Sequence, residues 1–336
     1  MMFPSILPQL WLRCWLLVAL LALLLPVAQA QQKVKVVTRT LEQSWGCPPG
    51  MPVTIQAEKA TVRVQGWNKP TVQVVLRLSA RHPEQAVAEQ DLPVARYRLQ
   101  QSGNAIYLVN FFTLPTGAPA VRSDLRAEYT IMMPTGNPIK IVNAYGQTEL
   151  TDLTGQQELE QSFGKIALRD LRGTIKVTAR YTDLTASNLQ ANFTCEATKS
   201  AVQAQGLGGN STMNNYFGSV RLQLAANLSK LTVVADRTEV VISAPQPELF
   251  AYQLAVQQGT LTVPTAYAAS KKSSASRATL TASKGASRRV VRVTTSYAPL
   301  TLQTEPLSPS SNPSCFIPLP LCSAYTPCAS IGTCFG

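Results

Sequence analysis

Histidine and acidic residues are scarce in this 336-residue sequence, which contains one His and 18 Asp and Glu against 30 Lys and Arg. A histidine metal centre needs several imidazoles. A Ser–His–Asp site would have to use His82, which lies in a segment, 76–128, that is described below as an insertion. We therefore predict no catalytic residue, no metal ligand and no cofactor. The hydrophobic content of 45% argues against a disordered chain.

Long apolar runs are also lacking, except for eleven consecutive apolar residues at 15–25. This run follows Arg13 and precedes the small-x-small sequence Ala28-Gln29-Ala30, which is the pattern of a signal peptide. The alternative is an uncleaved anchor, but eleven helical residues span about 16 Å, roughly half of a hydrocarbon core. We expect an exported protein, in the periplasm, at the cell surface or extracellular, with no transmembrane span after cleavage.

An 18-residue repeat extends from residue 139 to about 244. Within each unit apolar residues alternate as in a strand, a small residue at the Gly146 column turns the chain, and the column headed by Asp152 suits a left-handed turn. One unit cannot bury its apolar side alone, so the units must stack about 4.8 Å apart. Two apolar columns contain Ile141, Leu159, Val177, Cys195, Met213 and Leu231, and Leu153, Leu171, Leu189 and Leu207.

The repeat predicts an all-β fold, a parallel β-solenoid (β-helix) with 18-residue rungs. Three parts are expected: a signal peptide at 1–30, the β-solenoid domain at 31–303 and a Pro/Ser/Cys-rich tail at 304–336. Within the domain, an insertion at 76–128 is predicted to hold a helix near 82–90 and a hairpin over 94–112. The second interruption, 266–288, is predicted to be a basic, solvated loop.

Four segments resemble the bacterial "putative adhesin" β-solenoid family, which comprises exported domains of unknown function from Bacteroidetes-type envelopes. They are 62–67 (VRVQGW), 129–134 (YTIMMP), 143–155 (NAYGQTELTDLTG) and 293–297 (VTTSY). The sequence departs from the family at Tyr297-Ala298, where an aromatic residue is usually followed by Gly. The resemblance implies an envelope solenoid; it implies no ligand and carries over no catalytic residue.

Two sets of residues are candidate binding sites. An aromatic column could stack sugar rings, or it could simply fill the corner of each repeat; it contains Tyr145, Phe163, Tyr181 and Phe217 and is interrupted by Lys199. A basic set could attract anionic polymers, or it could only solubilise its loop; it contains Lys271, Lys272, Arg277, Lys284, Arg288, Arg289 and Arg292.

Six cysteines remain after the leader is removed with Cys14. Cys195 lies in an inward column, so we expect a buried free thiol. Cys47 is expected to be unpaired or joined to another chain. The other four lie in the last 22 residues, and either form disulfides with unspecified pairing or remain reduced in a disordered tail: Cys315, Cys322, Cys328 and Cys334.

The sequence therefore predicts an exported, non-enzymatic cell-envelope module, an adhesin or a structural protein that binds anionic polymers or glycans. Its partners would be envelope glycans or lipopolysaccharide, and nucleic acid is not expected; the oligomeric state is left open. The alternative is a polysaccharide-cleaving β-helix enzyme. Its best carboxylate pair would be Glu160 and Glu196, which are two repeats apart in one outward column, roughly 9.6 Å.

Overall fold

The computed structural model describes residues 34–114, 116–117, 119–283 and 289–307. These residues form 16 β-strands, one α-helix and three short 3-10 turns. The predicted signal peptide, Lys284, Arg288 and the four tail cysteines lie outside the described residues. The strands and the helix are β1 Lys35–Gly46, β2 Val53–Glu58, β3 Ala60–Trp67, β4 Thr71–His82, α1 Gln85–Asp91, β5 Ala95–Ser102, β6 Ala105–Phe112, β7 Asp124–Pro134, β8 Ile139–Thr151, β9 Gln156–Arg169, β10 Arg172–Ser243, β11 Ala251–Gln257, β12 Leu261–Thr262, β13 Lys271–Ser273, β14 Arg277–Ala282, β15 Val290–Ser296 and β16 Leu300–Gln303.

The central array, β8 to β10, carries the 18-residue register that the sequence indicates. β8 pairs with β9, and β9 with β10, in parallel; Ile141 lies opposite Leu159 and Leu159 opposite Val177. β10, Arg172–Ser243, passes through several repeats and turns at left-handed residues such as Tyr181 and Asn188. Side-chain hydrogen bonds join residues 18 apart in it, such as Asn210 and Asn192. Inward columns are buried because stacked units cover one another's apolar sides.

The prediction of a parallel β-solenoid for the domain as a whole is wrong, because the 16-stranded sheet is mixed. β1 pairs antiparallel with β4, β4 with β7, and β5 with β6 at one end of the sheet. At the other end, β14 pairs antiparallel with both β11 and β13. The flanking strands β2, β3, β15 and β16 still pair in parallel with the array. The antiparallel strands lie outside the residues with the 18-residue spacing, so nothing there brings the chain back to the same starting side.

Each repeat of the central array bends, so that its first half lies in one wall and its second half in the other. Wall 1 contains β5, β6, β2 and the first halves of β8 and β9, whereas wall 2 contains β1, β4, β7, β3 and the second halves. The core of buried Val, Ile, Leu and Ala side chains lies between the walls. No described helix is long and apolar enough to cross a membrane.

The bend between the walls is made by a residue with positive φ followed by a small residue. Tyr145 and Phe163 both have φ of 59°, and Gly146 and Gly164 follow them. A Cβ on Gly146 would lie 1.9 Å from the carbonyl oxygen of Ala60, so the close approach of neighbouring repeats requires glycine there. The left-handed turn predicted for the Asp152 column is confirmed, with φ of 57° at Asp152.

The insertion at 76–128 contains the predicted helix and hairpin. Helix α1 spans Gln85–Asp91, and β5 and β6 pair antiparallel around a turn between Ser102 and Ala105. Ala88 of the helix is buried in a small separate cluster with Ala80 and Leu125. The hairpin extends wall 1 beyond β2, because β6 pairs in parallel with β2.

Candidate binding surfaces

The aromatic column forms a stacked ladder outside the core. The rings of Tyr145 and Phe163 are 5.0 Å apart with an interplanar angle of 5°, and those of Phe163 and Tyr181 are 4.9 Å apart at 9°. Their exposed fractions are 60%, 43% and 48%, so the rings do not fill the interior of the corner. The left-handed backbone at each position directs the side chain outward, and the spacing between repeats sets the ring separation.

Cations continue the ladder where aromatic residues are absent. Lys199 Nζ lies 5.0 Å from the centroid of the Tyr181 ring and donates a hydrogen bond to Tyr181 Oη at 3.0 Å, which raises the lysine pKa. Arg237 lies between two rings, with its guanidinium carbon 5.3 Å from the centroid of Phe217 and 5.5 Å from that of Tyr297. Rings and cations therefore cover one another's faces, and the ladder presents mainly ring edges and hydroxyl groups to solvent.

This geometry narrows what the ladder can bind. A sugar that stacks on an aromatic residue lies against a ring face, but both faces of the Phe163 ring are covered by Tyr145 and Tyr181. Phe217, also in the predicted stacking set, contacts Tyr216 edge to face at 4.4 Å. Glycan stacking on the ladder stays a prediction, and it would require an outer face such as that of Tyr145.

Three of the predicted basic residues project from one outer face, which we call the C-terminal basic face: Arg292 of β15, Arg277 of β14 and Lys272 of β13. Arg292 lies between two buried valines, and its direct neighbour on β11 is Gln253, to which its Nε donates a hydrogen bond at 2.9 Å. Lys272 lies opposite Thr279, and Arg277 lies opposite Gln257. Among the described residues, none of these three cations forms an ion pair within 4.0 Å.

The other members of the basic set are placed differently. Lys271 Nζ donates to the carbonyl oxygen of Leu261 at 2.6 Å, so its ammonium is committed to the main chain. Arg289 lies immediately before β15. Part of the predicted solvated loop is the hairpin β13–β14, in which Ala278 and Leu280 are buried. The Ala/Ser/Lys-rich composition concealed this alternation of buried and exposed residues.

The sequence analysis missed one exposed surface, which lies on β5 and β6 at the edge of wall 1. Tyr107 and Phe111 of β6 are 39% and 41% exposed, and the half-buried Val109 lies between them. Arg98 lies directly opposite Val109, and Arg96 lies directly opposite Phe111. We call these five residues the Tyr107–Phe111 face. Its signal in the sequence was weak, because apolar residues on both sides of β6 are typical of a fully buried strand.

One of the two carboxylates of the alternative, enzymatic hypothesis, that of Glu160, is engaged in a cross-strand ion pair. Glu160 pairs with Lys140 at 3.1 Å, and Lys140 also pairs with Glu158 at 3.5 Å. Lys176 lies 3.8 Å from Glu158 and completes a ladder of alternating charge on the outside of wall 1. Contact with Glu160 and Glu158 raises the pKa of Lys140. The ion pair with Lys140 partly neutralises the Glu160 carboxylate, so Glu160 and Glu196 are not a pair of free carboxylates.

The two described cysteines are buried and free, as predicted for Cys195. Burial raises the pKa of Cys195 to about 12. Burial also raises the pKa of Cys47, although a hydrogen bond from Asn137 Nδ2 to its sulfur at 3.0 Å acts in the opposite direction. Neither thiol is a reactive nucleophile, because a nucleophilic cysteine needs an exposed, stabilised thiolate.

Comparison with known proteins finds no matching family model and no matching curated protein. Solved structures similar to this chain include a putative adhesin from Bacteroides fragilis (12% identity, TM-score 0.33, covering 80% of this chain and 97% of that one). A putative lipid binding protein from Parabacteroides distasonis has 9% identity and a TM-score of 0.40, covering 79% and 96%. A putative cell adhesion protein from Clostridium sporogenes has 8% identity and a TM-score of 0.28, covering 79% and 99%. Solved structures described as putative adhesins, the family that the sequence resembles, are thus among those similar to this chain.

Proposed function

We propose that this protein is an exported, non-enzymatic binding module of the cell envelope that holds anionic polymers on its C-terminal basic face. The observation that carries the proposal is the placement of Arg292, Arg277 and Lys272 on one face of the sheet, where none of them forms an ion pair with a described acidic residue. The outward neighbours Gln253, Gln257 and Thr279 are polar and uncharged. Side chains of this kind donate hydrogen bonds to phosphate, carboxylate or hydroxyl groups.

The distance over which the cations are spread supports an extended polymer, rather than a small ion, as the ligand. The cations occupy β15, β14 and β13, and β11 lies between β15 and β14, so the outermost of these strands are roughly 14 Å apart. No Asp or Glu occurs between Glu248 and Glu305, so the field over this end of the sheet has one sign. Lipopolysaccharide and acidic envelope glycans carry repeated negative groups that fit such a surface.

The test measures binding of lipopolysaccharide and polygalacturonate to the purified protein at several salt concentrations. We expect the triple variant Lys272→Gln, Arg277→Gln, Arg292→Gln to bind roughly tenfold more weakly, and added salt to weaken the unaltered protein. The matched control is Lys165→Gln, Arg172→Gln, Arg180→Gln, which removes three exposed charges from the central array. Equal affinity of both triple variants, or binding insensitive to salt, would assign the basic residues to solubility alone.

The enzymatic alternative has a separate test. A polysaccharide-cleaving enzyme would release reducing ends from polygalacturonate, alginate or another polysaccharide of a panel. We expect no release above the level of heat-denatured protein. Release that is lost in Glu160→Gln or Glu196→Gln would favour the enzyme over the binding module.

A further inference from the structure

The outer face of β5 and β6 combines two partly exposed aromatic rings with two guanidinium groups. Tyr107 and Phe111 are 39% and 41% exposed, and no aromatic or cation–π contact joins either ring to another described residue. The guanidinium groups of Arg96 and Arg98 form no hydrogen bond or ion pair within the described part of the chain. The exposed parts of both rings and both guanidinium groups can therefore contact a ligand.

The alternation of the two strands places these groups on one side. Ile106, Leu108 and Asn110 of β6 are buried, so Tyr107, Val109 and Phe111 point outward. On β5, Tyr97 and Leu99 pack against the core, which leaves Arg96 and Arg98 on the outer side. Opposite residues on neighbouring antiparallel strands have Cβ atoms about 5 Å apart, so each arginine reaches the row of β6.

The row has the spacing of a linear polymer. Tyr107 and Phe111 are four residues apart on one strand, or about 13 Å, and only Val109 separates them. Polar side chains border the row on both sides: Gln100 and Thr54 lie opposite Tyr107, and Gln56 lies opposite Val109. Two apolar rings, two cations and bordering hydrogen-bonding groups suit a chain that has apolar ring faces, anionic groups and hydroxyls.

We propose that the Tyr107–Phe111 face binds an acidic polysaccharide, with sugar rings stacked on Tyr107 and Phe111 and carboxylate or sulfate groups held by Arg96 and Arg98. The inference goes beyond the proposed function, because it assigns a second binding face and names the class of anionic polymer that this face binds. The C-terminal basic face attracts polyanions by charge, whereas this face requires a sugar ring. A membrane surface fits less well, since the apolar part of the face is two rings and one valine with polar neighbours.

The experiment compares two double variants, Tyr107→Ala, Phe111→Ala and Tyr216→Ala, Tyr297→Ala. Each removes two exposed aromatic rings, and circular dichroism verifies that both variants fold. Binding of polygalacturonate is measured by calorimetry, with polyphosphate as the polyanion without sugar rings, dextran as the neutral glycan, and phosphatidylglycerol vesicles as the membrane probe. Arg96→Gln, Arg98→Gln is tested alongside.

We expect the Tyr107, Phe111 variant to bind polygalacturonate about tenfold more weakly and polyphosphate unchanged, and the Tyr216, Tyr297 variant to bind both normally. The Arg96, Arg98 variant should lose polygalacturonate affinity and salt sensitivity together. Equal affinity of the two aromatic variants, or vesicle binding in preference to polygalacturonate, would overturn the inference. If polygalacturonate affinity depends only on Lys272, Arg277 and Arg292, the proposed function stands and this inference falls. If the affinity depends only on Tyr107 and Phe111, this inference stands and the proposed function of the C-terminal basic face falls.

Discussion

Thr148 donates a hydrogen bond to Gln161 across the boundary between two repeats, with 2.6 Å between Thr148 Oγ1 and Gln161 Oε1. Both side chains are buried beneath the bend that carries the aromatic ladder. Gln161 Nε2 in turn donates to the carbonyl oxygens of Gly146 and Lys165, at 2.8 and 2.9 Å. The glutamine thus satisfies main-chain groups that the left-handed bend leaves outside the strand ladder.

Replacing Gln161 with leucine should destabilise the protein, because two carbonyl oxygens and one hydroxyl would lose their buried partner. Leaving a buried polar group unsatisfied costs about 1–3 kcal/mol, so we expect a loss of that order in the free energy of unfolding. The measurement is urea denaturation followed by circular dichroism. Gln147→Leu, an exposed position on the same bend, is the control and should change the stability by less than about 0.5 kcal/mol. Similar values for both variants would contradict a structural role for the Gln161 amide.

Truncating a leucine of the column that contains Leu171 and Leu189 should destabilise the folded protein. Leu171 and Leu189 are almost completely buried, with equivalent leucines expected in the adjoining repeats. Leu189→Ala should lower the free energy of unfolding by roughly 2–5 kcal/mol, through lost transfer energy and the cavity that remains. Val234→Ala, at an exposed position of the same array, serves as the control. Melting of Leu189→Ala within a degree or two of the unaltered protein would refute the assigned register.

Protonation of Asp91 should loosen the attachment of helix α1. One carboxylate oxygen accepts main-chain hydrogen bonds from Arg122 at 3.0 Å and Ser123 at 2.8 Å. Burial acts to raise the pKa of this carboxyl, but the hydrogen bonds from Ser123 and Arg122 outweigh it and the pKa is lowered. The stabilisation is therefore complete above the unfolded-state pKa of about 4 and is lost as the pH falls through the lower folded-state value.

The test of this dependence compares Asp91→Asn with the unaltered protein at pH 7 and at pH 2.5. Hydrogen bonds to a charged group contribute about 1.5–3 kcal/mol, so we expect a destabilisation of that order at pH 7 and a smaller difference at pH 2.5. Glu89→Gln, on the exposed side of the same helix, is the control. A difference between Asp91→Asn and the unaltered protein that does not change with pH would rule out the carboxylate as the cause.

The buried thiols should resist alkylation in the folded protein. The raised pKa of Cys195, about 12, and its complete burial keep it protonated and inaccessible at pH 8, and Cys47 is similarly buried. Peptide mass spectrometry after iodoacetamide treatment should find both unmodified in the native protein and modified in guanidinium. The same non-reduced digest separates the two alternatives for the tail: two disulfides among Cys315, Cys322, Cys328 and Cys334 would support a disulfide-linked tail, and free thiols at all six positions would support a reduced one.

The sequence predicted those features that an 18-residue period determines by itself. Columns such as Ile141, Leu159 and Val177 specify which residues are inside, and a polar residue at Asp152 or Asp170 indicates a left-handed turn that the structure contains. The direction of the flanking strands could not be predicted in this way. Alternation in β4 shows which side is buried, and that side is the same whether its neighbour is parallel or antiparallel.

The candidate surfaces were predicted unevenly for a related reason. Lys272, Arg277 and Arg292 were identified by charge alone, but that they share a face depends on the hairpin β13–β14, which the composition concealed. Tyr107 and Phe111 were overlooked because nothing in an apolar strand distinguishes a side covered by protein from a side left for a ligand. Solvent exposure of a strand face is a property of the whole assembly and has no local signal.

The antiparallel strands at both ends of the sheet also bear on how the protein behaves at high concentration. A stack of parallel repeats that simply stopped would offer an open row of main-chain donors and acceptors on which another copy could continue the same stack. Here the edge strand β13 at one end is three residues long and contains Lys271 and Lys272. At the other end the edge strands are β1, which contains Lys35, Arg39 and Glu42, and β5, which contains Arg96 and Arg98. These edge strands disfavour pairing with a second copy of the protein. We therefore expect the protein to stay monodisperse at high concentration and not to grow into filaments, although its repeats resemble those of a fibril.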